Sequence, residues 1–95
     1  MMETIWKYAV PLEAEFTVAM PEDAKILCIQ KQYDIAMLWA LVDSDKALKR
    51  RRFITCGTGN PIIVPSACLV YIGTYQQRNG AFVWHVFEVI NGSEE

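Results

Sequence analysis

The longest strongly strand-forming run of the chain, residues 80–90, constrains the fold more than any other feature. Its alternate positions form two sets, one of Ala81, Val83, His85, Phe87 and Val89 and one of Phe82, Trp84, Val86, Glu88 and Ile90. Both sets are mostly apolar, so neither face of this strand is simply solvated. Such a strand lies inside a sandwich or barrel, or has its outer face against a second subunit. The rest of the chain is expected to cover it.

The 95 residues are enough for a single domain with one core, so we interpret residues 1–95 as one β domain. A hydrophobic fraction of 53% is high for this length. Because a small monomer cannot hide that much apolar surface, we expect a homo-oligomer, a dimer in its simplest form. An apolar outer face containing Phe82, Trp84 and Val86 is the expected contact.

The net charge of −2 gives no whole-chain case for binding nucleic acid. No apolar run approaches the roughly 20 residues that cross a bilayer, and the first residues lack a basic segment followed by an apolar one. Cys28, Cys56 and Cys68 are odd in number and widely spaced, which predicts free thiols in a reducing cytoplasm. With one His and no Cys-x-x-Cys, we expect no metal and no cofactor.

Turn signals divide the chain into seven predicted strands, at residues 4–10, 15–20, 24–31, 35–43, 49–56, 68–76 and 80–90. Good helix formers leave a helix open for residues 35–43, but the run is short and apolar all round, which favours a buried strand. Residues 46–48 could add one helical turn at most. Residues 91–95 form a polar tail. The prediction is an all-β fold with little helix, a small antiparallel sandwich or barrel.

Two connections predict hairpins. The Asn79-Gly80 pair is a strong hairpin signal and predicts that the sixth and seventh strands pair antiparallel. The link through Pro11 between the first and second strands is short, so a hairpin is expected there too.

The basic run at residues 49–52 precedes a glycine-rich loop. Glycine-rich turns direct backbone N–H groups at anions, and arginine clamps phosphate with two hydrogen bonds. The candidate ligand-binding residues are Arg50, Arg51, Arg52, Gly57, Thr58, Gly59 and Asn60, with Trp84 and His85 beside them. The plainer alternative is an exposed basic strand end that protects a sheet edge, followed by a turn that needs glycine.

No catalytic set is legible, so the chain is not expected to be an enzyme. His85 lies mid-strand among aromatic residues, where a hydrogen-bonded packing role is usual. The competing hypotheses are a nucleotide-cleaving activity that uses His85 with the arginines, and a Cys–His pair with one of the three thiols. Glu88 could pair with an arginine. The aromatic side chains either stack on bases or pack a core or dimer interface.

Eight stretches carry a family resemblance: Ile5-Trp6-Lys7-Tyr8, Met20-Pro21, residues 24–27, Leu38-Trp39-Ala40-Leu41-Val42, Arg52-Phe53, residues 57–62, Tyr71-Ile72-Gly73-Thr74 and residues 82–88. Together they resemble a family of small uncharacterised proteins carried by bacteriophages and prophages. This resemblance implies a phage accessory protein in the cytoplasm of a bacterial host. By analogy with small phage proteins that inhibit host defence, we expect this chain to antagonise a host defence process by sequestering a phosphorylated, nucleotide-like ligand. The alternatives are a protein–protein inhibitor of a host effector and a structural phage component. Asn60 stands where the resemblance leads us to expect a His, which argues against catalysis there.

Overall fold

A computed structural model of the chain describes residues 2–90 and confirms the all-β prediction. The strands are β1 (Glu3–Ala9), β2 (Glu15–Pro21), β3 (Lys25–Gln32), β4 (Ile35–Asp43), β5 (Leu48–Gly57), β6 (Leu69–Gln77) and β7 (Phe82–Val89), with a short 3-10 helix at Ser66–Cys68. Ile35–Asp43 is a strand, as favoured. The predicted tail at residues 91–95 lies outside the described residues. Within residues 2–90, no helix is long and apolar enough to cross a membrane.

The strands form two antiparallel sheets that pack as a sandwich. Sheet A has the order β1-β4-β3, and sheet B has the order β2-β5-β7-β6. Strand β7, the long run at residues 80–90 in the sequence, lies between β5 and β6, so it has a neighbour on each side. The predicted β6–β7 hairpin is present. Its turn places Arg78, Asn79 and Gly80 at positive φ, the conformation that Asn-Gly turns favour.

The predicted hairpin of β1 and β2 is wrong, because the two strands lie in different sheets. β1 pairs with β4, and β2 pairs with β5. Val10 still donates its N–H to the carbonyl of Ala36 in sheet A, whereas the carbonyl of Ala14 already accepts from Thr55 in sheet B. The short link therefore carries the chain across the core.

No helical turn follows Asp43 either. Lys46 donates its N–H to the carbonyl of Asp43 in a tight turn, and β5 begins at Leu48.

The core is formed by one face of each sheet. β2 and β4 alternate between buried and more exposed positions, and their core residues are Phe16, Val18, Met20, Ala36, Leu38, Ala40 and Val42. The rings of Phe16 and Phe53 stack with centroids 5.2 Å apart. On β7, Val86 is fully buried and Trp84 packs against the core. The expectation that Phe82, Trp84 and Val86 form an outer oligomer face is therefore wrong for Trp84 and Val86, which close the protein's own core, whereas Phe82 is 45% exposed.

Two irregularities shift the simple alternation that the sequence predicts. A register shift between Ile26 and Cys28 turns both Ile26 and Ile29 toward the core. A second shift, between Tyr71 and Gly73, pairs Thr74 rather than Gly73 with His85. An extra residue in one strand reverses every later side chain, and alternation alone cannot reveal it. This second shift is what places Thr74 on the outer face of sheet B, beside His85.

Candidate functional site

Strand β5 carries the basic run and the glycine-rich loop at opposite ends. Arg52 and Gly57 are five positions apart on one extended strand, which corresponds to about 16 Å. The prediction that the arginines and the loop belong to one ligand-binding site is therefore wrong. Sequence proximity misled because an extended chain separates residues that a helix or turn would bring together.

Arg50 and Arg52 lie on the outer face of sheet B, opposite Ala19 and Thr17 of β2. Arg50 donates from Nη1 to the Thr17 hydroxyl at 3.0 Å, and both arginines are exposed. Within residues 2–90, neither guanidinium takes part in an ion pair. Of the three predicted arginines, these two lie together on the outer face of sheet B.

Arg51 points the other way, as strand alternation predicts. Its Nε and Nη2 donate to the two carboxylate oxygens of Glu88 at 2.6 and 2.7 Å, and its Nη1 donates to the carbonyl of Ala24 at 2.6 Å. This bidentate bond to the carboxylate raises the pKa of Arg51 above its usual value. The suggestion that Glu88 pairs with an arginine is confirmed. Arg51 connects β5 with β7 and with Ala24 just before β3, so three of its five N–H donors already have partners.

Hydrogen bonds between side-chain hydroxyls and the imidazole of His85 connect the glycine-rich loop to sheet B. Thr58 Oγ1 lies 2.6 Å from His85 Nε2, and Thr74 Oγ1 lies 2.9 Å from His85 Nδ1. Tyr71 extends the chain with a hydrogen bond between its hydroxyl and that of Thr74. We call these four residues the hydroxyl–imidazole chain. Both ring nitrogens of His85 have partners, which favours a structural role for the imidazole.

Cys56 faces His85 directly across β5 and β7. Its Sγ lies 3.3 Å from the carbonyl oxygen of Gly57 and 3.4 Å from that of Asn60. Asn60 also donates its N–H to the Gly57 carbonyl at 3.0 Å. The Cys56 thiol therefore helps to stabilise the turn formed by residues 57–60. No cluster of three or more His, Cys, Asp or Glu in the described part of the chain could hold a metal ion.

A pocket that the sequence did not predict lies beyond the first residue of β2, where β5 continues without β2 beside it. We call it the loop pocket; its volume is about 420 Å³, and the β1–β2 link and the β5–β6 connection enclose it. Its lining consists of Pro11, Leu12, Glu13, Ala14, Glu15, Ile54, Thr55, Cys56, Gly57, Asn60, Pro61, Ile62, Ile63, Val64, Tyr75 and Trp84.

The chemistry of the loop pocket is apolar with an acidic margin. Trp84 is the one predicted ligand residue with a large side chain in the lining, and its Nε1 donates to Gln77 Oε1 at 2.8 Å. Burial raises the pKa of Tyr75, so its hydroxyl stays neutral. No Lys or Arg lines the pocket, whereas Glu13 and Glu15 do. It suits an apolar, neutral or cationic group better than a phosphate.

A signal for this pocket was present in the sequence. Leu12, Ile62 and Ile63 are apolar residues in proline-flanked connections, where polar residues are usual. They remain 76%, 43% and 85% exposed. Which connections come together depends on the assignment of β1 and β2 to different sheets, and the sequence did not reveal that.

Comparison with known families places the chain but assigns it no activity. A family model described as Domain of unknown function (DUF7352) matches residues 1–95, so the chain belongs to this family. No curated protein matches the chain significantly, and no solved structure does.

Proposed function

We propose that this member of the DUF7352 family is a non-catalytic binding protein of bacteriophage type. It acts in the host cytoplasm and antagonises a host process by holding an apolar group of a host protein in the loop pocket. The observation that carries the proposal is the pocket itself, an apolar cleft of about 420 Å³ with Leu12 and Ile63 exposed at its margin. Mostly apolar clefts of this size are typical sites for ligand groups in proteins.

The margin of the pocket supports a protein partner of a particular chemistry. Glu13 and Glu15 contribute two carboxylates beside apolar walls, and no lining side chain is cationic. An aliphatic or aromatic side chain next to a Lys or Arg of the partner fits this arrangement by burial and charge complementarity. Leu12 and Ile63 lie in irregular connections, so the walls can adjust to the partner.

The contacts of His85 support binding rather than catalysis. Its two ring nitrogens lie against threonine hydroxyls, and the Cys56 thiol lies against backbone carbonyls. Neither group has an unoccupied partner position aimed at a substrate. Incubation with cyclic and linear nucleotides tests this: we expect no turnover. Hydrolysis that is lost in His85→Ala, in a variant that keeps its fold, would overturn the non-catalytic proposal.

Capture of host proteins on immobilised protein tests the pocket directly. The pocket variant carries Leu12→Ser and Ile63→Ser; both side chains are mostly exposed, so the fold should tolerate the changes. The matched control is Tyr33→Ser, an 88% exposed residue outside the lining. We expect the pocket variant to lose a host protein that wild type and Tyr33→Ser retain. Equal retention by all three would reject the pocket as the binding site.

A small probe reports on the pocket without any host protein. Indole added to ¹⁵N-labelled protein should shift the Trp84 Nε1 resonance, and inorganic phosphate should not, because no cation lines the pocket. The indole shift should disappear in the pocket variant and persist in Tyr33→Ser.

The second candidate function is sequestration of a phosphorylated, nucleotide-like ligand. The observation that favours it is the exposed pair of Arg50 and Arg52 on one face of β5, outside any ion pair in the described residues. Thr17 adds a hydroxyl beside them. Thermal-shift measurements with a nucleotide panel separate the two candidates. Stabilisation by nucleotides that is lost in Arg50→Ala with Arg52→Ala, and kept in the pocket variant, would select this function instead.

A further inference from the structure

Strand β1 has a free edge and is exposed along most of its length. It pairs with β4 along its whole length, and in the described chain no strand pairs with its other edge. Six of its seven residues are exposed, including Ile5 at 55% and Trp6 at 39%. A long uncovered edge strand with apolar side chains is a template for pairing with another strand. The β1 edge of sheet A is therefore available for pairing with a further strand.

The direction of the free hydrogen-bonding groups follows from the ends of the strand. Val10 donates its N–H to Ala36, and the carbonyl of Met2 accepts from Ser44. In an antiparallel ladder, the residues that bond to one neighbour alternate with those that point to the other side. The even-numbered residues of β1 thus bond to β4. The N–H and C=O groups of residues 3, 5, 7 and 9 point outward from the sheet.

The side chains of these outward-bonding residues are self-complementary. Glu3 and Lys7 lie at equal distances on either side of Ile5. We propose that a second copy of this chain pairs antiparallel with the free edge of β1 about a two-fold axis at Ile5. This register sets Glu3 opposite the partner's Lys7, and Lys7 opposite the partner's Glu3. Ile5 meets the partner's Ile5, and Trp6 lies opposite the partner's Thr4.

The backbone and the charges select this register together. A shift by one residue would place non-bonding positions opposite bonding ones, so only registers with odd residues opposite odd residues form a ladder. The shift by two that centres on Trp6 sets Glu3 opposite the partner's Ala9 and Lys7 opposite the partner's Ile5. That register has no cross-strand charge pair. Opposite charges facing each other stabilise a strand pair, and like charges destabilise it.

Lys7 already has weak contacts within its own sheet. Its Nζ donates to Gln32 Oε1 and lies 5.8 Å from the centre of the Trp39 ring. These exposed contacts are worth little, so the ammonium is free to exchange them for the partner's Glu3. The proposed ladder adds about six backbone hydrogen bonds and covers part of Trp6. An interface of one short strand is small, so we expect a reversible dimer with a dissociation constant in the micromolar range.

Charge reversal with mixing tests the partner and the register at once. In Glu3→Lys, two lysines face two lysines across the axis, and in Lys7→Glu, two glutamates face two glutamates. Each variant alone should dimerise about tenfold more weakly than wild type in sedimentation velocity. An equimolar mixture of the two should recover dimers, because every facing pair is again of opposite charge. The matched control is Glu22→Lys, which makes the same charge change on the exposed β2–β3 turn and should dimerise like wild type.

Dimerisation of the wild-type protein and of the mixture decides the proposal. Recovery in the mixture supports the two-fold pairing at Ile5. A wild-type protein that stays monomeric to about 1 mM would overturn the proposal, and so would a mixture that dimerises no better than its two components. Circular dichroism of each variant shows that the fold is kept. Raised ionic strength gives a second measurement: the dimer should weaken with salt, because the charge pairs are exposed.

Discussion

Arg51 and Glu88 form the most buried of the ion pairs in the described residues, with side chains 21% and 13% exposed. The sequence analysis listed Arg51 with Arg50 and Arg52 among the candidate ligand-binding residues. Strand alternation predicts that it faces away from Arg50 and Arg52, but only the paired strands show which face is inside. A cation turned toward the core requires a partner, since an unpaired buried charge is costly. Glu88, from the neighbouring strand β7, supplies the opposite charge.

Removal of this guanidinium should destabilise the fold. Arg51→Met leaves the Glu88 carboxylate partly buried without its partner, and we expect a loss of about 2 kcal/mol in the free energy of unfolding. Arg52→Met is the matched control on the adjacent, exposed position and should change stability by less than about 0.5 kcal/mol. Urea denaturation followed by circular dichroism gives both values. Equal losses would show that the Arg51–Glu88 pair contributes nothing specific.

Two buried hydroxyl groups, in contrast to the Arg51–Glu88 ion pair, should contribute nothing favourable to stability. Tyr8 Oη and Thr55 Oγ1 are buried and have no hydrogen-bond partner, and burial raises the pKa of Tyr8. An unpaired buried hydroxyl costs stability, so its removal at constant shape should be neutral or favourable. We expect Tyr8→Phe and Thr55→Val each to leave the free energy of unfolding unchanged or to raise it by up to about 1 kcal/mol. A loss above about 1 kcal/mol in either would reveal a hydrogen bond.

At the scale of strands, the sequence predicted the existence of the elements far better than their partners. Alternation, turn residues and the short apolar run at Ile35–Asp43 located all seven strands of the described chain. These signals are local. The pairing of β1 with β4 rather than β2 depends on which faces bury together across the whole chain, and a short link permits either arrangement. The two register shifts also left no local signal. The separation of Arg52 from Gly57, by contrast, follows from strand geometry alone.

The shift in β6 lies where β6 packs tightly against β3 of the other sheet. A Cβ atom on Gly73 would lie 2.5 Å from Cγ2 of Ile29 on β3, well inside van der Waals contact. β3 and β6 therefore pack together at a position where β6 has no side chain. We expect Gly73→Ala to lower the free energy of unfolding by about 1–3 kcal/mol, because the strands must move apart.

A double-mutant cycle identifies the cause. Ile29→Ala removes the atom that the new Cβ would meet, at the cost of a cavity in the core. If the clash is the mechanism, Gly73→Ala should cost at least about 1 kcal/mol less in the Ile29→Ala background than alone. Strict additivity would assign the effect to the backbone of Gly73 instead.

At the scale of the molecule, the two sheets depend on each other. The connections β1–β2, β2–β3 and β4–β5 all pass from one sheet to the other, and the buried residues of both form one cluster. Neither sheet has a core without its partner. The side chains to be changed at the two proposed binding surfaces are exposed and lie outside this cluster; they are Leu12, Ile63, Glu3 and Lys7. Changes at the two proposed binding surfaces should therefore leave the fold intact.

Because both sheets share one core, they should unfold in a single step. The tryptophans provide a probe for each sheet, with Trp39 on β4 and Trp84 on β7. A variant that keeps only Trp39 carries Trp6→Phe and Trp84→Phe, and a variant that keeps only Trp84 carries Trp6→Phe and Trp39→Phe. In each variant we expect the urea midpoint from tryptophan fluorescence to coincide with that from circular dichroism, which monitors all strands. The comparison within one variant removes the effect of the substitutions themselves. A fluorescence transition from Trp39 that precedes the loss of β structure would show that sheet A unfolds alone, and would contradict a shared core.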